Sequence, residues 1–92
     1  ACLCYELSQA GVNFEPQCSL PIRYGDATIE GGLRLDLLVE GKVIVELKSI
    51  ETLLPIHEAQ LLTYMKLANK RLGFLLNFNT VLLRDGMKRL VL

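Results

Sequence analysis

The strongest constraint on the fold of this chain is a pair of apolar segments that carry ionisable side chains. Residues 33–39 contain Asp36 among leucines, and residues 43–48 contain Glu46 and Lys48 among valine, isoleucine and leucine. Short aliphatic runs of this kind predict β-strands. Side chains alternate across a strand, so Glu46 and Lys48 share one face. Ionised groups in apolar strands are costly unless they are paired or bind something, so these three side chains require an explanation.

The connection between the two segments decides whether the carboxylates meet. A plain two-residue loop that pairs Val39 with Lys42 would send Glu46 to the face opposite Asp36, because side chains alternate with a period of two. We therefore predict an odd-length connection centred on Gly41, or a bulge, that sets Asp36 opposite Glu46.

Two interpretations of these charged residues remain open at this point. In the first, Asp36 and Glu46 hold a divalent cation, since Mg²⁺ typically binds one or two carboxylates together with waters and phosphate oxygens. Lys48 would then orient or help to deprotonate an attacking water, while the metal stabilises the charge that develops on phosphorus. In the second, the two carboxylates pair with Arg34 and Lys48 at the surface of the sheet.

Periodicity and turn signals predict the other elements. Pro16 and Pro21 favour an edge position for the first strand, Pro55 can begin the second helix, and the apolar run at 72–78 predicts a strand that is covered on both faces. The predicted elements are a helix at 1–10, strands at 13–24, 28–40 and 42–50, a helix at 56–70, and strands at 72–78, 80–83 and 88–92. This α-β-β-β-α-β-β-β order predicts one α/β domain over the whole chain, with a mixed sheet and helices packed on it.

The second helix presents a polar stripe, because His57, Gln60 and Tyr64 are spaced three and four residues apart. We expect Gln60 and Tyr64 to face the same cleft as Lys48. For His57 taken alone, a solvated or internally hydrogen-bonded side chain is the simpler interpretation. The apolar positions of the same helix are Ile56, Leu61, Met65 and Ala68, and we expect the last three to face the core.

Composition restricts the class of protein. The ten basic and ten acidic residues cancel, whereas a protein that holds nucleic acid by electrostatics alone usually has a basic excess. The apolar runs are much shorter than the roughly 20 residues of a membrane span, and no secretory signal opens the chain. Three cysteines without paired or zinc-type spacing predict reduced thiols and a cytoplasmic location.

The order of these residues resembles that of the PD-(D/E)xK nucleases. Asp36 is followed by the Glu-Leu-Lys of residues 46–48, and then by Gln60 and Tyr64 in a Q-x-x-x-Y helix. The chain is similar, more closely, to the small bacterial GxxExxY proteins. The segments that carry this second resemblance are residues 35–40, 44–48, 57–64, 73–79 and 88–91.

The resemblance implies hydrolysis of phosphodiester bonds in DNA or RNA with Mg²⁺ or Mn²⁺ as cofactor. The residues that it implicates are Asp36 and Glu46 as metal ligands, the Leu47 carbonyl as a further ligand, Lys48 as a catalytic residue, and Gln60 and Tyr64 as substrate-binding or supporting residues. The family's naming motif, with a glutamate on the first helix, would fall before Ala1. Since the chain starts without Met and within a predicted helix, we expect further residues upstream, and we do not assign the motif's role to Glu6.

Two alternatives to an active nuclease are a binding or interaction module that keeps the nuclease fold without turnover, and a purely structural subunit. The neutral charge and the absence of the naming motif favour the module, whereas Asp36, Glu46 and Lys48 favour the enzyme. A metal titration distinguishes them, because the structural subunit alone would bind no metal.

The C-terminal hairpin predicts a homodimer. Its apolar residues Leu82, Leu83, Leu90 and Leu92 have no following element to cover them, and exposed apolar patches often mark an interface. Pairing of two copies would also protect an open sheet edge. The alternative is that these leucines pack on the first helix within one chain.

Overall fold

The computed structural model describes residues 2–24, 26–80 and 83–92. The elements are α1 (Cys2–Gln9), β1 (Phe14–Tyr24), β2 (Ala27–Val39), β3 (Val43–Lys48), α2 (Pro55–Ala68), β4 (Leu72–Asn77), a short 3-10 helix (Leu83–Gly86) and β5 (Met87–Val91). No helix in these ranges is long and apolar enough to span a membrane. Cys4 and Cys18 are free thiols.

The five strands form one mixed sheet in the order β1-β2-β3-β4-β5. Only the pair β3 and β4 is parallel, and α2 makes the crossover between them. The remaining pairs are antiparallel. This arrangement confirms the predicted mixed α/β sheet, and it confirms the edge position that the prolines of β1 indicated.

Each face of the sheet is covered by a different helix. On the α2 face, Leu61 and Met65 of the helix are fully buried against strand residues that include Leu35 and Leu75. On the α1 face, the helix packs on a smaller cluster, which comprises Leu37, Val45 and Leu76 with Leu3 and Leu7 of α1. Both clusters contain residues of β4, so this strand is covered on both sides as its apolar sequence predicts.

The prediction of which α2 residues face the core is confirmed. Leu61 and Met65 are buried and Ala68 packs beside them, as expected. Ile56, however, is 66% exposed. It precedes Leu61 by five residues, which corresponds to a rotation of about 140° around a helix with 3.6 residues per turn, and so it points away from the core. Gly11 follows α1 with φ +71°, as a helix stop signal requires.

The side-chain alternation of β2 shifts by one residue at Asp36. Leu35 packs on the α2 face and Leu37 on the α1 face, although residues two apart in a regular strand share a face. Gln17 lies on β1 opposite Asp36, between two paired positions, and has φ +53°. The irregularity therefore affects two neighbouring strands, and it sets the face of the sheet to which Asp36 points.

The C-terminal region corrects the predicted fold. The strand expected at 80–83 is wrong, because Thr80 lies in a bend and the 3-10 helix already begins at Leu83; Val81 and Leu82 lie outside the described residues. The last strand therefore pairs with β4 alone. The physical reason is close packing at the end of β4, where a Cβ on Gly86 would collide with the carbonyl oxygen of Asn77.

The apolar residues of β5 divide between the interior and the surface. Leu90 packs on the α2 cluster, so for this residue the alternative of packing on α1 is wrong. Val91 is 59% exposed and Leu92 46% exposed. Leu82 and the side chain of Leu83 lie outside the described part of the chain. β5 is an edge strand with exposed apolar side chains, as pairing of two copies requires. The homodimer itself stays a prediction.

Candidate active site

The turn between β2 and β3 sets the register of the two strands. The N–H of Lys42 donates to the carbonyl of Val39 over 3.0 Å, and the two central residues, Glu40 and Gly41, have φ +55° and +65°. Positive φ at both central positions is the requirement of a type I′ turn. The strands nevertheless pair Val39 with Val43, so the connection contains three residues. The predicted odd-length connection centred on Gly41 is confirmed.

The paired ladder between these strands ends at Leu37 and Val45, and two carboxylates take over the backbone contacts. Oδ2 of Asp36 accepts a hydrogen bond from the N–H of Leu47 at 2.9 Å. Oε1 of Glu46 accepts one from the N–H of Asp36 at 3.4 Å. The two carboxylates therefore lie together in the gap between β2 and β3, as the predicted register requires.

Burial and charge repulsion act together on Glu46, which is only 7% exposed. Burial makes the largest contribution, and the negative charge of Asp36 adds to it, so the pKa of Glu46 rises from the ordinary 4.5 to about 7. The backbone N–H of Asp36 and the positive charge of Lys48 act in the opposite direction. A carboxylate whose ionised form is disfavoured in this way is one that a bound cation would stabilise.

Asp36 and Glu46 do not form the ion pairs with Arg34 and Lys48 that the second interpretation requires. Among the described residues, the only ion pair within 4.0 Å joins Lys88 to Glu58, at 3.9 Å. Arg34 is exposed on β2 and does not neutralise the carboxylates at that distance. The repulsion between Asp36 and Glu46 is therefore opposed at longer range by Lys48.

Lys48 and Leu47 complete the arrangement around the gap. Lys48 is half-buried and shares the face of Glu46, because β3 alternates regularly with Ile44 on the α2 face and Val45 on the α1 face. The N–H of Leu47 points at Asp36. Since the N–H and C=O of a strand residue point to the same side, the Leu47 carbonyl also faces the gap.

This donor set fits Mg²⁺ or Mn²⁺. The described ranges contain no group of three or more His, Cys, Asp or Glu side chains that could hold a metal, which does not favour a closed structural zinc site. Two carboxylates and a carbonyl provide only oxygen, and hard cations such as Mg²⁺ complete their shell with water and substrate phosphate. Asp36, Glu46 and the Leu47 carbonyl are the groups that could hold the ion.

The polar stripe of α2 is divided between two tasks. Nδ1 of His57 accepts a hydrogen bond from the N–H of Leu54 at 2.9 Å, so this side chain secures the first turn of the helix. Nε2 of Gln60 donates to Oη of Tyr64 at 3.0 Å. Tyr64 also packs on the α2 cluster, whereas Gln60 is exposed. That Gln60 and Tyr64 contact substrate beside Lys48 stays a prediction.

One supporting residue, Asn77, was not singled out from the sequence. It is 2% exposed at the end of β4, beside Lys48 in the parallel pair. Its Oδ1 accepts from the N–H of Ile50 at 3.0 Å, and its Nδ2 donates to the carbonyl of Ile50 at 2.8 Å. This amide therefore fixes the chain that leaves β3 immediately after Lys48. A lone Asn in the apolar segment 72–78 was the available signal.

The comparisons with known proteins agree with this geometry at the level of the superfamily. A family profile described as the PD-(D/E)XK nuclease superfamily matches residues 1–90. Searches of the curated proteins and of the solved structures found no match to the chain. Because the profile covers nearly the whole sequence, the chain belongs to the PD-(D/E)XK nuclease superfamily.

Proposed function

We propose that this chain is a nuclease that hydrolyses phosphodiester bonds of DNA or RNA with Mg²⁺ or Mn²⁺. The observation that carries the proposal is the pairing of Asp36 and Glu46 in the gap between β2 and β3. The raised pKa of Glu46 supports it, because no described Lys or Arg forms an ion pair with Asp36 or Glu46 within 4.0 Å. Membership of the superfamily supports nuclease activity in general.

Each residue of the site has a specific task in this proposal. Asp36 and Glu46 would hold the cation together with the Leu47 carbonyl, while Oδ2 of Asp36 and Oε1 of Glu46 also accept backbone hydrogen bonds. When bound, the cation supplies Lewis-acid stabilisation of the charge on the phosphoryl oxygens. Lys48 would hold the attacking water by a hydrogen bond from Nζ and stabilise the negative charge of the phosphate on the same face.

The hydrolysis itself joins a water oxygen to phosphorus and breaks one P–O ester bond, and the leaving oxygen ends as a hydroxyl group.

Asn77 contributes indirectly, because it fixes the backbone after Lys48 through both hydrogen bonds to Ile50. Gln60 and Tyr64, hydrogen-bonded to each other on the exposed side of α2, would contact the substrate beyond the reacting phosphate. We also propose that, within the superfamily, this chain is related to the GxxExxY proteins.

The test is a cleavage assay on labelled single-stranded DNA, duplex DNA and RNA, with Mg²⁺, Mn²⁺ or EDTA. We expect cleavage that requires the metal and falls at least 100-fold in Glu46→Gln and Lys48→Met. Glu30→Gln makes the same charge change as Glu46→Gln at an exposed position of β2 and should cleave normally. Metal binding without cleavage of any substrate would instead support the inactive binding module.

A further inference from the structure

Four basic residues gather at the end of the sheet opposite the carboxylates. Val43 pairs with Leu72 in the parallel ladder, so the residues that precede these strands lie side by side. The side chains involved are Lys42 before β3, Lys66 at the end of α2, and Lys70 and Arg71 before β4. We call these four residues the basic end. They are four of the ten Lys and Arg residues of a chain whose net charge is zero.

The basic end lines two adjoining clefts. One, of about 420 Å³, is lined by Lys42, Lys70 and Arg71. The other, of about 290 Å³, is lined by Lys66 together with the same Lys70 and Arg71. Because Lys70 and Arg71 border both clefts, the positive charges surround one continuous concave surface. This surface is open to solvent, and Lys42, Lys66 and Arg71 are exposed.

The positive charges of the basic end are not neutralised at close range by carboxylates of the described residues. None of the four forms an ion pair within 4.0 Å of a carboxylate in the described part of the chain. Two carboxylates, Glu15 and Glu40, lie at the same end of β1 and β2. Glu40 accepts a hydrogen bond from the N–H of Asn13 at 3.1 Å, and Glu15 accepts one from Cys18 at 3.5 Å.

The C-terminus of α2 does not need the lysine side chains either. The carbonyl of Met65 accepts a hydrogen bond from the N–H of Lys70 at 2.8 Å, and that of Lys66 accepts one from Asn69 at 3.2 Å. Asn69 has φ +57°, which is the usual left-handed cap of a helix. The backbone therefore satisfies its own carbonyl groups. Lys42, Lys66 and Arg71 are exposed, whereas Lys70 is half-buried and its charge also acts on Cys18.

We propose that the basic end binds the phosphodiester backbone of the nucleic-acid strand whose reacting phosphate lies at Asp36 and Glu46. This inference rests on the proposed function. Lys42 precedes Glu46 by four strand residues, which is about 13 Å at roughly 3.3 Å per residue. A nucleic-acid strand carries one charge per about 3.4 Å of helix axis. Along a straight line the two sites are therefore about four phosphates apart. Ile44 lies between them and is buried under α2, so a strand that reaches both sites passes around the part of the sheet that α2 covers.

The proposal also accounts for the neutral net charge of a nuclease. Binding of a polyanion depends on where positive charge is placed, and a patch of one sign raises the local concentration of the substrate even on a neutral protein. Contacts to phosphate orient the strand without reading its bases. The basic end would therefore bind DNA and RNA strands of any sequence.

The test measures the binding of labelled 12-nucleotide single strands by fluorescence anisotropy in EDTA, where no cleavage occurs. One double variant combines Lys70→Ala with Arg71→Ala, and the control combines Lys88→Ala with Arg89→Ala on β5, which removes the same charge. We expect the first to bind DNA and RNA at least tenfold more weakly. The slope of log K against log salt should fall by about 1.4, as the loss of two phosphate contacts requires for single strands. The control should retain binding within about twofold.

Equal weakening in the two double variants, or no change in the first, would overturn the proposal. Weakening for only one of the two nucleic acids would also overturn it, because contacts to phosphate alone do not distinguish them. Lys42→Ala tests the same surface from β3, independently of the folding of the α2–β4 connection, and should also weaken binding. Since the assay does not involve catalysis, a protein that binds through this surface but never cleaves would contradict only the proposed function.

Discussion

Asp36 and Glu46 each accept a hydrogen bond from the backbone of the other's strand. Oε1 of Glu46 accepts from the N–H of Asp36, and Oδ2 of Asp36 accepts from the N–H of Leu47, the residue after Glu46. The carboxylates thus replace the backbone hydrogen bonds at the point where β2 and β3 separate. These hydrogen bonds from backbone N–H groups keep the two like charges close together. It also makes the stability of the site sensitive to pH.

The first prediction concerns the stability of the metal-free protein. The pKa of Glu46 rises on folding from 4.5 to about 7, so the native state binds more protons than the unfolded state between these values. The contribution of this carboxyl to stability is therefore complete below pH 4.5 and is lost as the pH rises through about 7. Given about 1.4 kcal/mol per pKa unit and screening by solvent, we expect a loss of roughly 1–3 kcal/mol.

Urea denaturation in EDTA at pH 5 and pH 8 measures this effect. Glu46→Gln removes the titrating group. The difference in the free energy of unfolding between wild type and this variant should therefore differ by roughly 1–3 kcal/mol between pH 5 and pH 8. Glu30→Gln, at an exposed position, should show no such change. A difference for Glu46→Gln that is the same at both pH values would contradict the raised pKa.

The second prediction concerns Asn77. Asn77→Ala leaves the N–H and the carbonyl of Ile50 without their partner, and we expect a loss of about 2–3 kcal/mol in the free energy of unfolding. Activity should fall further than stability explains, because the chain after Lys48 loses its anchor. Asn79→Ala is the control, since the hydrogen bond from Asn79 to Asn77 is donated by its backbone N–H and survives the substitution. Equal stability of the two variants would contradict the role of the side chain.

The third prediction concerns the irregularity opposite Asp36. Gln17 has φ +53°, which β-branched residues adopt only with strain of about 1–2 kcal/mol. Since Gln17 already carries part of this strain, Gln17→Val should destabilise the protein by about 1 kcal/mol, whereas Gln17→Asn should be neutral or slightly stabilising. Ser19→Val, at an exposed position of the same strand, should be neutral or slightly stabilising. Urea denaturation measures the free energy of unfolding of the three variants. An unchanged value for Gln17→Val would contradict the assigned backbone conformation.

The fourth prediction concerns association through β5. Val91 is 59% exposed on an edge strand, and pairing of two copies would cover it. Sedimentation at micromolar concentration should show a dimer that Val91→Lys dissociates, while Ile56→Lys, at an exposed position of α2, should leave it intact. A monomer of about 10.3 kDa for the wild type would rule out the dimer.

The sequence was sufficient to predict the mixed sheet, the second helix and the register of the β2–β3 hairpin. The register followed from a physical requirement, because Asp36 and Glu46 can meet only if the connection has an odd number of residues. The strand expected at 80–83 failed because packing at the end of β4, not local propensity, determines the path of the chain there. The positive φ of Gln17 was unforeseen for a similar reason, since only the neighbouring strands impose it.

Within the candidate site, the charged residues were easier to find than the residues that support them. A charge in an apolar strand is conspicuous, whereas Asn77 acts through hydrogen bonds to the backbone of Ile50, 27 residues away along the chain. His57 bonds only to nearby Leu54, as the expected internally hydrogen-bonded side chain. Such partners depend on how the loop between β3 and α2 folds back. They could not be assigned before the path of that loop was known.

The central claim is that Asp36 and Glu46 hold a divalent cation, and calorimetric titration of Mn²⁺ into the protein at pH 7.5 tests it most directly. We expect one site per chain in the wild type and in Glu30→Gln, and loss of that site in Asp36→Asn and Glu46→Gln. Each variant is first shown to be folded by circular dichroism. A wild type that binds no Mn²⁺, or a Glu46→Gln variant that binds it as tightly as the wild type, would contradict the claim.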